Sequence, residues 1–286
     1  MIVGTRGSRL ALRQTEMFMD AARAHMNEEM TVREIRSSGD VDTTTPIWEM
    51  QGYGAFVREL DAALVKGEID VSVNSLKDVP INNRSGTVIG AVMRRDAVED
   101  AILPVELSGL PIGAKVGTSS KRRMSILRRA RPDLDVVPLR GNIHTRLDRL
   151  DSGEMDAIIL AKAGIDRMGI VRSHNILPVH EFVPAPAQGA IGIACRADDD
   201  RMLSRLSKLD DAPTRMETDL ERRIMSMMGA GCTSPIGINA RLNGGSFRVR
   251  AISFEHSDDP CLVDETLNVG YNEDDLTSIV SKLRGE

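Results

Sequence analysis

The chain has 286 residues with 37 basic and 42 acidic side chains, so its formal net charge is −5. This length allows two or three domains with hydrophobic cores. The acidic balance and an aromatic content of 3% argue against a general nucleic-acid binder, which would present a basic surface and stacking aromatic side chains. No run approaches the roughly 18 apolar residues that span a bilayer, and the N-terminus lacks a signal-peptide layout, so we expect a cytoplasmic protein.

The cysteines and histidines form no metal or disulfide pattern. The three cysteines are odd in number and lack C-x-x-C spacing, and the five histidines are scattered. The sequence therefore predicts neither a disulfide framework nor a metal site.

Strands and helices alternate along the first part of the chain. The predicted elements are strands over 2–4, 31–36 and 69–73, a helix capped by Ser8, and a helix over 55–66. Residues 37–54 contain turn formers without a sustained period and are predicted to form a mobile loop that lies over a cleft. This alternation predicts α/β architecture.

An internal repeat divides this region into two halves. The stretch VGTRGSRLALRQ (3–14) resembles VGTSSKRRMSILRR (116–129), and KGEIDVSVNS (66–75) resembles SGEMDAIILA (152–161). Because both pairs occur in the same order, we infer two lobes of like topology, the first of which carries the long loop.

The tail has a different pattern. A long helix is predicted over 213–228, followed by strands over 236–242, 247–254 and 261–269 and a final helix over 274–282. This pattern is typical of a compact α+β domain.

Each Val-Gly-Thr turn places a helix N-terminus at the carboxyl edge of a sheet, where free N–H groups and the helix dipole favour an anion. Polar and basic residues follow both turns, namely Arg6 and Ser8 in the first and Ser119, Ser120, Arg122 and Arg123 in the second. Ordinary helix capping with solvated arginines is the competing interpretation. The repetition in both halves favours a shared anion site in a cleft between the lobes.

Basic residues are concentrated in segment 121–149. It contains nine basic and three acidic residues, a net of +6, which leaves −11 for the rest of the chain. Arg128, Arg129, Arg131 and Arg149 fit a solvated helix face. Arg140 and Arg146 instead follow a predicted strand end, where a new helix begins, and we expect them at the carboxyl edge. The chain has 30 arginines and 7 lysines, a bias that suits forked recognition of carboxylates.

Two further motifs suggest chemistry. In SVNSLKDVP (72–80), Lys77 and Asp78 follow an apolar strand, where a carboxylate can stabilise a cation or move a proton. A turn aspartate that bonds its own backbone is the competing interpretation. In MGAGCTSPIG (228–237), small neighbours leave the Cys232 sulfur accessible, whereas Cys195 and Cys261 lie in apolar strands and are predicted to be core residues.

Taken together, these motifs resemble the hydroxymethylbilane synthase family, also called the porphobilinogen deaminase family. The matching stretches cover residues 2 to about 240 and include GTRGSRLAL, GDVDTTTPI, GAFVRELDAAL, SVNSLKDVP, GTSSKRRMSILRR, PAPAQGAIGIACR and GAGCTSPIG. The resemblance implies two lobes of periplasmic-binding-protein type II topology and a small α+β C-terminal domain. The implied boundaries are 1–92 with 190–208, 93–189, and 209–286.

The resemblance also implies an activity. Members condense four porphobilinogen molecules head to tail with loss of ammonia, on a dipyrromethane cofactor attached to a cysteine through a thioether, and then hydrolyse off the linear tetrapyrrole. The attachment residue falls on Cys232 and the catalytic aspartate on Asp78. The implied cofactor- and substrate-binding residues are Arg6, Ser8, Lys77, Ser120, Arg122, Arg123, Arg140, Arg146, Arg167 and Gln188. The implied partner is porphobilinogen, without nucleic acid or membrane, and we expect a monomer.

Three positions depart from the family pattern. Tyr53 stands where many members have a loop lysine, Asn74 replaces a frequent histidine, and Ala230 precedes Gly231 and Cys232 where Gly-Gly-Cys is usual. Two other functions remain possible on the sequence alone. A non-catalytic two-lobe protein that binds a small anion would not need Asp78 or Cys232, and an RNA-binding protein that uses segment 121–149 conflicts with the few aromatic residues.

Overall fold

The computed structural model describes residues 1–26, 28–37, 39, 54, 56–81, 86–231 and 233–286. The chain divides into two compact units, each formed from two segments. Unit 1 comprises Met1–Asp96 and Gly189–Met216, and unit 2 comprises Ala97–Gln188 and Glu217–Glu286. Most of the predicted loop 37–54 lies outside the described residues, so its conformation stays a prediction.

The described elements alternate as predicted in the first part of the chain. In chain order they are β1 Ile2–Thr5, α1 Arg9–Arg23, β2 Thr31–Glu34, α2 Arg58–Val65, β3 Val71–Ser75, β4 Thr87–Val92, β5 Asp100–Leu103, β6 Lys115–Gly117, α3 Lys121–Ala130, β7 Asp135–Val137, α4 Ile143–Asp151, β8 Ala157–Ala161, α5 Lys162–Arg167, β9 Asn175–Leu177, β10 Ile191–Arg196, α6 Asp200–Leu206, α7 Ala212–Met227, β11 Ile236–Asn243, β12 Ser246–Ser253, β13 Cys261–Asn268 and α8 Glu273–Arg284. Within the described part of the chain, every helix is too short or too polar to span a bilayer.

Unit 1 contains a five-stranded sheet in the order β2-β1-β3-β10-β4. Strand β1 is parallel to β2 and β3, whereas β10 is antiparallel to both β3 and β4. The apolar face of α1 packs on this sheet through Phe18, which is fully buried with Val71 and Ile193. The stripe of apolar residues seen in the sequence of α1 is therefore its core face.

Unit 2 repeats this arrangement in a sheet of order β7-β6-β8-β5-β9. Strand β6 is parallel to β7 and β8, and β5 is antiparallel to β8 and β9. The register also repeats, because Val3 pairs with Val71 in one sheet and Val116 with Ala157 in the other. The two lobes of like topology predicted from the repeat are confirmed, and with them the α/β class of periplasmic-binding-protein type II topology.

The two repeated Val-Gly-Thr turns use equivalent residues, a glycine where the backbone is closely packed and a serine that caps the following helix. A Cβ atom at Gly4 would lie 2.3 Å from Ile69 Cδ1, and one at Gly117 would lie 2.7 Å from Leu139 Cδ2, so both positions need glycine. The Ser8 hydroxyl accepts from the Ala11 N–H at 3.3 Å. The Ser120 hydroxyl accepts in the same way, which starts α1 and α3 at equivalent places.

The tail forms the predicted small α+β arrangement. Strands β11, β12 and β13 form an antiparallel sheet, and α8 buries Leu276, Ile279 and Leu283. Each predicted tail element agrees with the observed one to within about two residues. This sheet belongs to unit 2, whereas α7 begins in unit 1 and continues into unit 2. The three-domain boundaries stay a prediction.

Candidate active site

In unit 1, four predicted site residues lie at one edge of the sheet. Strands β1 and β3 are parallel neighbours, so their carboxyl ends meet at the same edge. Arg6 and Ser8 follow β1, and Lys77 and Asp78 occupy the short 3₁₀ turn that follows β3. All four are neither fully buried nor fully exposed, so they lie where a bound molecule could reach them.

The turn that carries Lys77 and Asp78 is anchored on both sides. Leu76 and Val79 are 1% and 2% exposed. The Leu76 N–H donates to the Ala190 carbonyl at 3.0 Å, and the Val79 N–H donates to the Leu76 carbonyl at 3.1 Å. Buried apolar anchors therefore fix the backbone position of the candidate catalytic aspartate.

A buried glutamine on α1 supports the same turn. The Gln14 side chain is 2% exposed. Its Nε2 donates to the Ser75 hydroxyl at 2.9 Å, and that hydroxyl donates back to Gln14 Oε1 at 3.2 Å. Since Ser75 begins the turn, this pair links α1 to the position of Asp78. Gln14 gave no signal in the sequence, where it appears as one polar residue on an amphipathic helix.

Arg6 has an aromatic neighbour that no sequence motif indicates. Its guanidinium carbon lies 4.1 Å from the centroid of the Phe56 ring. A guanidinium over an aromatic face is held by a cation–π interaction that leaves the edge of its plane for hydrogen bonds. Phe56 lies in the matching stretch GAFVREL, but nothing in that stretch indicates the contact.

In unit 2, the strand order brings another set of predicted residues to one edge. Strand β6 is parallel to both β7 and β8. Ser120 follows β6, Arg140 follows β7, and Arg167 is the last residue of α5, which follows β8. Arg140 is 9% exposed. Arg146, on α4, donates from Nε to the Gly141 carbonyl at 2.8 Å.

Arg122 and Arg123 have internal partners. Arg122 donates to Asp100 Oδ2 at 2.8 Å and to the Val183 carbonyl at 2.7 Å. Arg123 donates to Asp100 Oδ1 at 2.6 Å and to the Ile159 carbonyl at 3.1 Å. The side chains of the two arginines are 3% and 7% exposed, and that of Asp100 is fully buried. The two predicted anion-binding residues thus form a buried ion cluster whose acidic member was not predicted.

Burial by itself would raise the pKa of Asp100, but the charges and hydrogen bonds of Arg122 and Arg123 hold it well below the usual range of aspartate. Burial also lowers the pKa of Arg122, an effect that Asp100 partly offsets. Asp100 is therefore ionised at neutral pH. Because arginine side chains stay protonated in proteins, the cluster carries one net positive charge.

Gln188 belongs to the same cluster. It is 1% exposed and donates from Nε2 to Asp100 Oδ1 at 2.9 Å and to the Val98 carbonyl at 2.7 Å. Its neighbour Ala187 has a positive φ of 59°. Three buried polar atoms near the start of α3, Ser119 Oγ, Arg122 Nε and Arg123 Nε, have no hydrogen-bond partner among the described residues.

The structure describes only some of the cysteines and family-variant positions that the sequence singled out. Cys195 is fully buried, as predicted, whereas Cys261 at the start of β13 is only partly buried. Asn74 is buried and donates to the Ser72 hydroxyl at 3.0 Å. Cys232 and Tyr53 lie outside the described residues, so the roles assigned to them stay predictions. The described residues contain no cluster of three or more histidine, cysteine or acidic side chains that could hold a metal ion.

These features define a duplicated α/β protein in which each repeat carries basic residues and a helix N-terminus at the carboxyl edge of its sheet. The family model described as "Porphobilinogen deaminase, dipyromethane cofactor binding domain" matches residues 1–204. A probable porphobilinogen deaminase of Methanococcoides burtonii is 42% identical over 246 residues, which cover 85% of this chain and 79% of that protein. The chain belongs to the porphobilinogen deaminase family, as the motif resemblance predicted.

Other relatives of similar identity belong to the same family. Porphobilinogen deaminases of Desulforudis audaxviator and Streptococcus sanguinis are 42% and 39% identical over 257 and 259 residues, which cover 88% and 87% of this chain and 83% and 85% of theirs. Among solved structures, the methionine-binding protein MetQ aligns with 73% of this chain and 87% of its own at 13% identity and a TM-score of 0.46. The fold itself is defined by the strand orders of the two five-stranded sheets.

Proposed function

We propose that this chain is a hydroxymethylbilane synthase. It joins four porphobilinogen molecules head to tail with release of ammonia, and then hydrolyses off the linear tetrapyrrole. The observation that carries this proposal is the placement of Asp78, in an anchored turn at the same strand edge as Arg6 and Ser8, in a member of the porphobilinogen deaminase family. A binding protein for a small anion would need the basic residues but not this carboxylate.

The basic side chains suit the substrate. Each porphobilinogen carries two carboxylates, and a growing chain accumulates them. Arg6 and Lys77 in unit 1, and Arg140, Arg146 and Arg167 in unit 2, would pair with these groups through charge-assisted hydrogen bonds. The capped N-termini of α1 and α3 add N–H groups and positive dipole ends at the same edges.

Asp78 would act on the pyrrole ring. Loss of ammonia leaves positive charge on the porphobilinogen ring, and a carboxylate close to the pyrrole N–H stabilises that charge. The same carboxylate can accept and return a proton as the new bond forms. The Gln14–Ser75 pair and the buried Leu76 would keep Asp78 in position during each round.

The residues of unit 2 fit a dipyrromethane cofactor. Its carboxylates need buried donors, and Ser119 Oγ, Arg122 Nε and Arg123 Nε are buried donors without a described partner. We propose that these residues, with Ser120, hold the cofactor and that Cys232 carries it through a thioether. When bound, the cofactor supplies the primer that the first substrate extends, which makes each condensation intramolecular on the enzyme side.

Reaction of the purified protein with Ehrlich's aldehyde reagent tests the function. A bound dipyrromethane gives a coloured product, and intact mass measures the same adduct. We expect both signals, together with formation of hydroxymethylbilane from porphobilinogen. Unmodified mass and no colour after incubation with porphobilinogen would reject the enzyme, and binding of porphobilinogen without turnover would favour the non-catalytic anion-binding protein.

Cytoplasmic location and a monomeric state belong to the same proposal, and size-exclusion chromatography with light scattering tests the monomeric state.

A further inference from the structure

Arg122 and Arg123 lie in an electrostatically unfavourable place. They are consecutive residues in the first turn of α3, where the helix dipole repels cations. Both are buried, so water screens neither the dipole nor their mutual repulsion. Two adjacent guanidinium groups can stay in such a place only if an internal anion compensates part of their charge.

Asp100 is that anion, and its position is fixed. It is the first residue of β5, a strand with a neighbour on each side, and its Cα pairs with Ala161 of β8 and Leu177 of β9. One carboxylate oxygen receives Arg122, and the other receives Arg123 and Gln188. The carboxylate therefore cannot turn away without leaving three buried donors unsatisfied.

The remaining contacts fix the orientation of each guanidinium. One terminal nitrogen of each arginine donates to Asp100 and the other donates to a backbone carbonyl, that of Val183 for Arg122 and that of Ile159 for Arg123. The Nε atoms have no described partner. The cluster retains one net positive charge, and both guanidiniums are held in a fixed arrangement.

We propose that Asp100 is a positioning residue for the cofactor- and substrate-binding arginines of unit 2. It neutralises one of their two charges and holds both guanidiniums in place, so that their remaining positive charge is fixed before a ligand carboxylate binds. This inference rests on the proposed function, because it takes porphobilinogen and its oligomers as the ligands. The sequence signal was slight, a single acid in the apolar strand segment DAIL (100–103).

Asp100→Asn tests this role, with Asp133→Asn as the matched control. Asp133 also accepts from an arginine, Arg131 at the end of α3, at 2.6 Å, but this pair is partly exposed to solvent. In Asp100→Asn, the side-chain NH₂ group faces donors and the two guanidiniums repel each other. Because ground-state binding is lost, we expect the KM for porphobilinogen to rise about tenfold or more, with kcat changed much less. Asp133→Asn should keep both constants within about twofold of the wild type.

The split between KM and kcat separates positioning from a structural role. A structural role would lower the amount of folded enzyme, which reduces apparent kcat and leaves KM unchanged. That result in Asp100→Asn would overturn the proposal. A second outcome also supports the proposal. In it, Asp100→Asn folds but acquires no covalent dipyrromethane, whereas Asp133→Asn acquires it, because the misplaced arginines then fail to bind the cofactor itself. A wild-type protein that neither binds nor converts porphobilinogen rejects the proposed function itself, whatever the variants do.

The wild-type protein provides a measurement that does not depend on variant folding. In ¹⁵N spectra, the Nη protons of Arg122 and Arg123 should be protected from solvent exchange before and after porphobilinogen binds, while their Nε–H resonances shift. The variants Arg122→Lys and Arg123→Lys assign the signals. Loss of Nη protection on binding would show that the ligand displaces Asp100 from the arginines, and it would overturn the positioning role.

Discussion

The buried carboxylate of Glu221 on α7 accepts the backbone N–H of Ala187 at 2.6 Å. Ala187 has a left-handed backbone, which is unfavourable for a residue with a Cβ atom. The other Glu221 oxygen accepts from the Ala240 N–H at 2.8 Å and from the Asn239 side chain at 3.2 Å. The Glu221 side chain thus links α7 to strand β11 of the tail sheet and to Ala187, the residue before Gln188.

Glu221→Gln should destabilise the protein by about 1–3 kcal/mol, because the new NH₂ group must face one of two buried backbone N–H groups. Urea unfolding measures the change. Glu265→Gln is the control: Glu265 is half exposed and pairs with Lys282 at 2.5 Å, and its loss should cost less than about 1 kcal/mol. Equal effects of the two variants would show that the Glu221 contacts contribute nothing beyond a surface pair.

Asp78→Asn should fold normally and lose turnover by a factor of about 10² or more, because the amide keeps the shape but cannot hold a cation or move a proton. Steady-state kinetics and thermal unfolding measure the two properties. Asp20→Asn removes an exposed carboxylate on α1 that pairs with Arg23, and it should leave kcat unchanged. Near-normal turnover in Asp78→Asn would exclude Asp78 as the principal catalytic group.

Cys232→Ser should lack the covalent cofactor, because a hydroxyl is a far weaker nucleophile than a thiolate. Intact mass after incubation with porphobilinogen measures the adduct. Cys261→Ser, which changes a partly buried cysteine at the start of β13, should retain it. If the covalent cofactor is retained in Cys232→Ser and lost in Cys261→Ser, the attachment residue is Cys261 instead of Cys232.

The ionisation of Asp100 should make stability depend on pH. Because its pKa is lowered on folding, its contribution is complete above the ordinary value of 3.8 and is lost as the pH falls toward the folded pKa. At neutral pH, Asp100→Asn should be less stable by about 3–5 kcal/mol, the usual effect of breaking a buried ion pair. Below pH 3.8 this difference should shrink by up to about 1.4 kcal/mol per pH unit. Urea unfolding at several pH values checks this, and a difference independent of pH would contradict it.

The parts of the fold that depend on local patterns were predictable from the sequence. The Ser8 cap, the two Val-Gly-Thr turns and the strands of the tail follow from residue periodicity and turn chemistry. The repeat also predicted the common topology, because similar segments in the same order form similar units. The edge positions of Asp78 and Arg6 then followed from strand ends.

Contacts between distant segments were not predictable in this way. Asp100 is 22 residues from Arg122, and nothing in the sequence indicates that an acid in an apolar strand compensates two arginines. Motif similarity assigned Gln188 to ligand binding, whereas the structure shows that it donates to Asp100 and to the carbonyls of Val98 and Glu99. The left-handed conformation of Ala187 is imposed by its surroundings, since alanine has no preference for it.

The position of β10 affects the order in which the chain can fold as it is synthesised. Strand β10 lies between β3 and β4 in the first sheet, yet it follows every strand of the second sheet in the chain. All five strands of the second sheet lie between Asp100 and Leu177, so that sheet can close while β10 is still inside the ribosome. Until Ile191–Arg196 leaves the ribosome, β3 and β4 have open edges where β10 will pair. Of the two five-stranded sheets, the one that begins first is therefore completed second.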